Sequence, residues 1–213
     1  MVKSGCFIVF EGGEGSGKTT QAQLLAGALA ERGLEVVSTR EPGGTPGAEA
    51  IRTMLLDPPG QGWGARAEAL LFAAARSDHV ERLIRPALQR GAWVVCDRFV
   101  DSSRAYQGGA GRLGDETIVT LHDIGSQGLR PDLTILVDVD PKTVSHRLAE
   151  RDGGASDAIG GRDADYHARV ADAFRALAAA DPEGFRVIDG SGLPEQVHNR
   201  VLATLGSLLE GAP

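Results

Sequence analysis

Residues 7–21 read FIVFEGGEGSGKTTQ, and this stretch decides the fold. Phe7 to Phe10 are wholly apolar, with β-branched and aromatic side chains, as in a strand buried on both faces. Gly12, Gly13, Glu14, Gly15, Ser16, Gly17, Lys18 and Thr19 then fit G-x-x-x-x-G-K-[ST]. From Thr20 onward the pattern predicts a helix with Leu24, Leu25, Ala28 and Leu29 on one face. Strand, glycine loop and helix in this order make a phosphate cradle. Where no Cβ intervenes, the backbone curls so that N–H groups and the helix N-terminus face anionic oxygens. Lys18 brings a mobile charge to the β and γ phosphates, and Thr19 a hydroxyl to Mg²⁺, a hard cation that keeps several waters and takes few protein ligands. Gly12 to Thr20 therefore predict binding of a nucleoside triphosphate.

The 213 residues suit one domain, 1–213, or one domain with a mobile insert, and are enough for a full core. A formal net charge of −7 argues against a surface for long nucleic acid, so any positive field must be local, inside a cleft. Cys6 and Cys96 border apolar strand runs and suit reduced, buried thiols of a cytoplasmic protein. No apolar run approaches membrane-spanning length, and Cys6 to Phe10 is too short for a signal-peptide core, so no membrane partner is expected. His79, His122, His146, His167 and His198 stand at no metal-ligand spacing and read as surface or helix-packing residues.

Along the chain, Arg32 and Gly33 stop the first helix and Glu35 to Ser38 predicts a second strand. The loop Thr39 to Gly47 (TREPGGTPG) follows at the end of a strand where open α/β sheets bind ligands; its plainer reading is a solvent loop with an exposed Arg40–Glu41 pair. Helices are expected over Ala48–Leu56, carrying Arg52, and over Ala65–Gln89, where Pro86 introduces a kink and Leu70, Leu71, Ala74 and Ala75 share a side. Phe72 and Arg76, four apart on one face, are placed either as core and surface or to stack on and hydrogen-bond a planar base. Ala92 to Cys96 is a third buried strand, with Asp97 and Arg98 at its edge positioned to hold hydrated Mg²⁺ and clamp a second phosphate. A short helix over Asp101–Gln107 and a helix over Asp115–Gln127, with Ile118, Leu121 and Ile124 inward, come next. A strand Leu133–Val139 leads to a helix Lys142–Arg151 presenting Arg147 and Arg151. Asp152 to Asp163 (DGGASDAIGGRD) is too poor in large apolar residues to form core and reads as a loop or a glycine-hinged lid. A helix Ala164–Ala180, a strand Phe185–Ile188 and a helix Pro194–Leu209 complete the chain. The alternation predicts an α/β fold, a five-stranded parallel sheet with helices on both faces.

Taken together, the glycine loop with Glu14, TREPGGT at 39–45, FAAAR at 72–76, DRF at 97–99 and SSRAYQG at 102–108 closely resemble bacterial thymidylate kinases, within the P-loop nucleoside monophosphate kinases. The resemblance runs from about Phe7 to Arg151 and more weakly to the C-terminus. It implies a three-layer P-loop kinase fold with a short mobile lid at about 152–163, and transfer of the γ-phosphoryl of ATP to dTMP with Mg²⁺ held at Thr19 and Asp97. It further implies that Phe72 stacks on thymine and Arg76 reads its carbonyl edge, and that Arg40, Arg52 and Arg98 hold the dTMP phosphate. Ser103 and Gln107 would line the base and sugar, Tyr106 would crowd C2′, Glu14 would meet the 3′ hydroxyl, and Glu41 with Pro42 would form a wall. A homodimer is implied as well. The chemistry makes the same demand independently: an acceptor phosphate is already a nucleophile, so catalysis is positioning and charge neutralisation by converging cations such as Lys18 and Arg98.

Relatives of this kind usually carry Asp-Arg-x-Asp/Glu in the lid, whereas this chain reads Asp157, Ala158, Ile159, Gly160. Arg162, the sole cation between Asp152 and Asp163, is expected to supply the missing charge, with Arg147 and Arg151 beside the ATP; its plainer reading is a surface residue next to a helix start. A regulatory GTPase is disfavoured because its Asn-Lys-x-Asp motif has no counterpart, Asn199 being the one asparagine and followed by Arg200. A kinase of another nucleotide, or a non-catalytic nucleotide-binding module, remain as alternatives for assay.

Overall fold

The computed structural model describes residues 5–141, 143, 144, 146, 147 and 158–210, without the side chains of 207 and 210. Among them five strands form one parallel sheet: β1 Phe7–Glu11, β2 Val36–Arg40, β3 Trp93–Asp97, β4 Leu133–Asp138 and β5 Phe185–Asp189. Their order is β2-β3-β1-β4-β5. β1 is central, with Ile8 aligned with both Val95 and Leu133. Its side chains alternate between faces. Ile8 and Phe10 join Leu25, Leu29, Val95, Ile135 and Val201 on one side, while Phe7 and Val9 join Val80, Ile84, Val94 and Phe99 on the other. A strand covered on both faces has to be apolar throughout, which is why FIVF carries no polar alternation.

The helices are α1 Lys18–Glu31, α2 Pro46–Leu56, α3 Ala65–His79, α4 Arg85–Gln89, α5 Val100–Ser103, α6 Asp115–Ser126, α7 Ala164–Ala180, α8 Pro194–Ala203 and α9 Gly206–Glu210. α3 and α4 are joined by a π-helical turn, Val80–Ile84, and a second one, Arg104–Ala110, continues α5. The disturbance expected at Pro86 thus takes the form of a widened turn just before it, where the missing proline N–H leaves the i→i−4 ladder incomplete. Of the helix expected over 142–151, residues 143, 144, 146 and 147 are helical; Arg151 and the part of the expected lid up to Asp157 lie outside the described residues. Among the described residues no helix is long and apolar enough to cross a membrane.

Three helical faces are turned relative to expectation. Leu24, Leu70 and Ile124 are exposed, at 37%, 55% and 76%. In their places α1 buries Lys18, Gln21, Ala22, Leu25 and Leu29; α3 buries Ala69, Ala75, Arg76 and His79; α6 buries Ile118, His122 and Ser126. The inward rows still follow helical spacing but include polar members, of which Lys18, Gln21, Arg76, His79 and His122 find partners inside. Two histidines follow the same rule: His79 and His122 are buried helix-packing residues, and the His122 Nε2 meets the Leu129 carbonyl at 2.8 Å. Both cysteines are free thiols, Cys96 buried and Cys6 partly so, and burial, helped by Asp132, pushes the Cys6 thiol up to about 12.

Candidate active site

All five strands run the same way, so their C-terminal ends gather on one edge, and on each side of β1 the chain winds in opposite directions. A ligand crevice belongs there. The glycine loop leaves β1 and enters α1. Gly12, at φ 146°, has no room for a side chain: a Cβ would meet the Val137 carbonyl at 2.7 Å and Ser16 Oγ at 2.9 Å. Gly17 caps α1 in a left-handed conformation at φ 92°. Lys18 is buried, its Nζ donating to the Gly13 carbonyl at 3.2 Å, and burial followed by the charge of Arg98 lowers its ammonium pKa. An ammonium so held gains by meeting negative oxygens.

At the end of β3, Asp97 lies beside the loop. Its Oδ2 accepts from Thr19 Oγ1 at 2.5 Å, while Oδ1 is buried with no partner among the described residues. A hydroxyl and an unsatisfied carboxylate oxygen are the hard donors that Mg²⁺ takes, so Thr19 and Asp97 fit that ion. Arg98 follows with φ 71°, its Nη2 on Glu14 at 2.6 Å and its Nη1 on Gly12 O and Ser102 Oγ at 3.0 Å each. Its guanidinium also faces the Tyr106 ring, 5.1 Å from the centroid. Glu14 is thus in the site and paired with Arg98.

Deeper in, a buried polar chain links four elements. Arg76 Nε donates to Glu41 Oε2 at 2.7 Å and its Nη2 donates to Ser103 Oγ at 2.9 Å. Glu41 Oε1 meets His79 Nδ1 at 3.1 Å, and His79 Nε2 meets Thr39 Oγ1 at 2.8 Å. Among the described residues this leaves Nη1 as the Arg76 nitrogen without a protein acceptor. Glu41 therefore turns inward, and Arg40 pairs with Glu49 at 3.0 Å; the exposed Arg40–Glu41 pair does not form, because successive β2-end side chains point to opposite sides. The Glu41–Pro42 bond is cis, and the Pro42 carbonyl accepts from Arg52 Nη1 at 2.8 Å.

These residues surround one cleft of about 310 Å³. Lys18, Thr19, Asp97 and Arg98 line it at one end with Glu14, and Arg40, Arg52, Phe72, Arg76, Ser103, Tyr106 and Gln107 line the remainder with Glu41 and Pro42. Comparisons with known proteins show the family of this chain. A thymidylate kinase family model matches residues 10–201. The chain belongs to the thymidylate kinase family. It is 57% identical over 205 residues to the thymidylate kinase of Rhizorhabdus wittichii, covering 96% of this chain and 99% of that one. It is 46% identical over 209 residues to that of Afipia carboxidovorans, covering 98% and 92%. The crystal structure of thymidylate kinase from Ehrlichia chaffeensis superposes with a TM-score of 0.78 at 34% identity, covering 95% of this chain and 99% of that one.

A second cleft of about 240 Å³ lies behind the glycine loop of this family member, lined by Ser16, Gly17, Thr20, Gln21, Arg147, Gly190 and Pro194 among others. Arg147 spans it, donating to Ser16 O at 3.2 Å and Gly190 O at 2.9 Å. Sequence reasoning placed Arg147 and Thr20 here but missed Gln21 and the turn after β5. The signal was present: Gly190, Ser191 and Gly192 follow a parallel strand at its ligand-binding end, and a Cβ at 190 would meet Val137 and Val139 at 2.6 Å.

Arg162 is placed differently from expectation. Its Nη2 meets Glu68 Oε2 at 2.5 Å, its Nη1 donates to Tyr166 OH, and the guanidinium sits over the Tyr166 ring. It lines neither cleft. Glu68 also accepts from Gln107 Nε2 at 2.9 Å, so Arg162 is tied to the wall of the first cleft through a carboxylate that sequence reasoning overlooked. Ile159 reaches the wall of the first cleft. Ala158 hydrogen-bonds through its N–H to Leu56 O at 3.4 Å, and its side chain brings no charge.

Proposed function

We infer that this protein transfers the γ-phosphoryl group of ATP to the 5′ phosphate of dTMP, giving dTDP and ADP. The observation that carries the reading is the continuity of the first cleft, in which a phosphate loop with Lys18 and a wall with Phe72 and Arg76 face the same space. ATP lays its phosphates along Gly12–Thr19, with its base in the second cleft under Arg147 and the phosphates between the clefts. Thr19 and Asp97 would hold Mg²⁺, which would supply charge neutralisation to the donor phosphates. Phe72, half-buried, offers its face to thymine; Arg76 offers Nη1 to a thymine carbonyl; Ser103 and Gln107 complete the base and sugar wall. Arg40, Arg52 and Arg98 hold the acceptor phosphate, Glu14 the 3′ hydroxyl, and Tyr106 fills the space a 2′ hydroxyl would need. The acceptor phosphate attacks without a general base, and Lys18 and Arg98 carry charge on the transferring group. Arg162 serves that group only after exchanging Glu68 for phosphate oxygens. The protein acts as a cytoplasmic homodimer of single-domain subunits; Leu70 and Ile124, exposed on helices α3 and α6, supply an apolar face for a second copy.

The test is ADP release with dTMP, dUMP, dCMP, dGMP and thymidine. dTMP should be the best acceptor. A missing methyl contact is worth on the order of 1 kcal/mol, so dUMP should be poorer by roughly tenfold. Faster turnover with thymidine than with dTMP would overturn the reading, because thymidine has no phosphate for the three arginines.

A further inference from the structure

At the tip of β1, just before the glycine loop, the Glu11 carboxylate is fully buried. Both oxygens are engaged by the segment that follows Arg98: Oε1 accepts from Phe99 N at 2.8 Å and Ser102 N at 2.9 Å, and Oε2 accepts from Ser102 Oγ at 2.6 Å. The backbone it grips is strained at its start. Arg98 stands at φ 71°, a region that costs a side-chain-bearing residue free energy, and its N–H donates to Phe10 O at 2.9 Å, beside Glu11. The Ser102 hydroxyl has one proton. Donated to Glu11, it leaves the oxygen lone pairs for Arg98 Nη1, which lies 3.0 Å away. A continuous path therefore runs from a carboxylate at the end of β1, through Ser102, to the guanidinium at the edge of the acceptor cleft. Glu11 belongs neither to the glycine motif nor to the cleft lining.

We propose that Glu11 is a positioning residue for Arg98, holding the left-handed turn from below and aiming the guanidinium through Ser102. The inference rests on the reading that Arg98 holds the acceptor phosphate. Burial, followed by the charge of Asp101, pushes the Glu11 carboxyl up to about 8, while Arg98 and the Ser102 and Phe99 hydrogen bonds favour its ionised form. The Ser102 hydroxyl donates to Glu11 when the carboxyl is ionised, the form that Arg98 and the Ser102 and Phe99 hydrogen bonds favour.

Glu11→Gln is nearly isosteric and keeps an acceptor for Phe99 N and Ser102 N, but turns an NH₂ toward the Ser102 oxygen that Arg98 needs. Ser102→Ala removes the bridging hydroxyl and leaves Glu11 with both backbone donors. Steady-state kinetics, calorimetric titration of each nucleotide and thermal unfolding are measured for both variants, for Arg98→Ala, and for Glu11→Gln combined with Arg98→Ala. Each of the first two should raise KM for dTMP about tenfold while the ATP Kd stays within about twofold. In the Arg98→Ala background, Glu11→Gln should add less than about twofold, since the two act through one guanidinium. Additive losses, or equal weakening of ATP, would overturn the proposal. If Glu11→Gln fails to fold, Ser102→Ala decides alone: an unchanged KM for dTMP sinks the relay. Loss of dTMP binding in Arg98→Ala with no change in the other two removes the proposal and leaves the reading of Arg98 intact. An unaffected Arg98→Ala removes both.

Discussion

Replacing Arg76 by alanine should do two things that are measured apart. Arg76 and Glu41 are 3% and 4% exposed and 2.7 Å apart, so truncation leaves a carboxylate inside the protein with His79 as its remaining side-chain partner among the described residues. It also strips the donor from Ser103 Oγ and from Phe99 O. Breaking a buried pair in this way costs about 3–5 kcal/mol. For a chain of 213 residues, at about 2–4 °C per kcal/mol, the thermal midpoint should fall by roughly 6–20 °C. The second effect is on binding. Losing one charge-assisted hydrogen bond to the base, worth about 1.5–3 kcal/mol, should weaken dTMP roughly 10- to 150-fold. ATP, bound by the glycine loop and the second cleft, should keep its affinity. Differential scanning calorimetry gives the first number; titration calorimetry with each nucleotide, run well below the variant's midpoint, gives the second. A midpoint shift under about 2 °C would refute the claim that this pair is buried and closed. Equal weakening of both nucleotides would show that Arg76 acts through the fold and does not read the base.

Lys18→Ala should lower kcat by orders of magnitude; a variant altered only in KM for ATP would show that the ammonium binds the donor without serving the transition state. Tyr106→Ala should narrow the preference for dTMP over its ribose counterpart, and an unchanged ratio would remove Tyr106 from that role. His122 is buried, and burial followed by the charge of Arg76 lowers its pKa to about 4. Between that value and the unfolded one the unfolded chain binds more protons, so stability should fall as pH drops through this window, by about 2–3 kcal/mol at pH 4.5, and His122→Leu should flatten this part of the urea-denaturation profile. Arg162→Ala should cut kcat if this arginine leaves Glu68 for the phosphates; kcat within about twofold of the parent, together with a strong gain in Ala158→Arg, would show a lid that lacks its cation.

What the sequence determined is whatever depends on neighbours along the chain. An apolar β1, a glycine loop and an amphipathic α1 are dictated by steric freedom and periodicity within residues 7–31, and the β–α alternation that follows allows little besides a parallel sheet. Phe72 and Arg76, Asp97 and Arg98, and Thr19 with Lys18 were legible for the same reason, each a local pattern at a strand end or on one helix face. Tertiary structure decided who meets whom. Glu41 stands next to Arg40 in the chain but bonds Arg76, 35 positions on, and Glu11 reaches Ser102, 91 positions on. Helical spacing defines a row of residues but not which row is covered, so Leu70 and Ile124 lie outside while Arg76, His79 and His122 lie inside. Arg76 and His79 enter such a row because Glu41, from another element, satisfies them there, and no local signal records that partner.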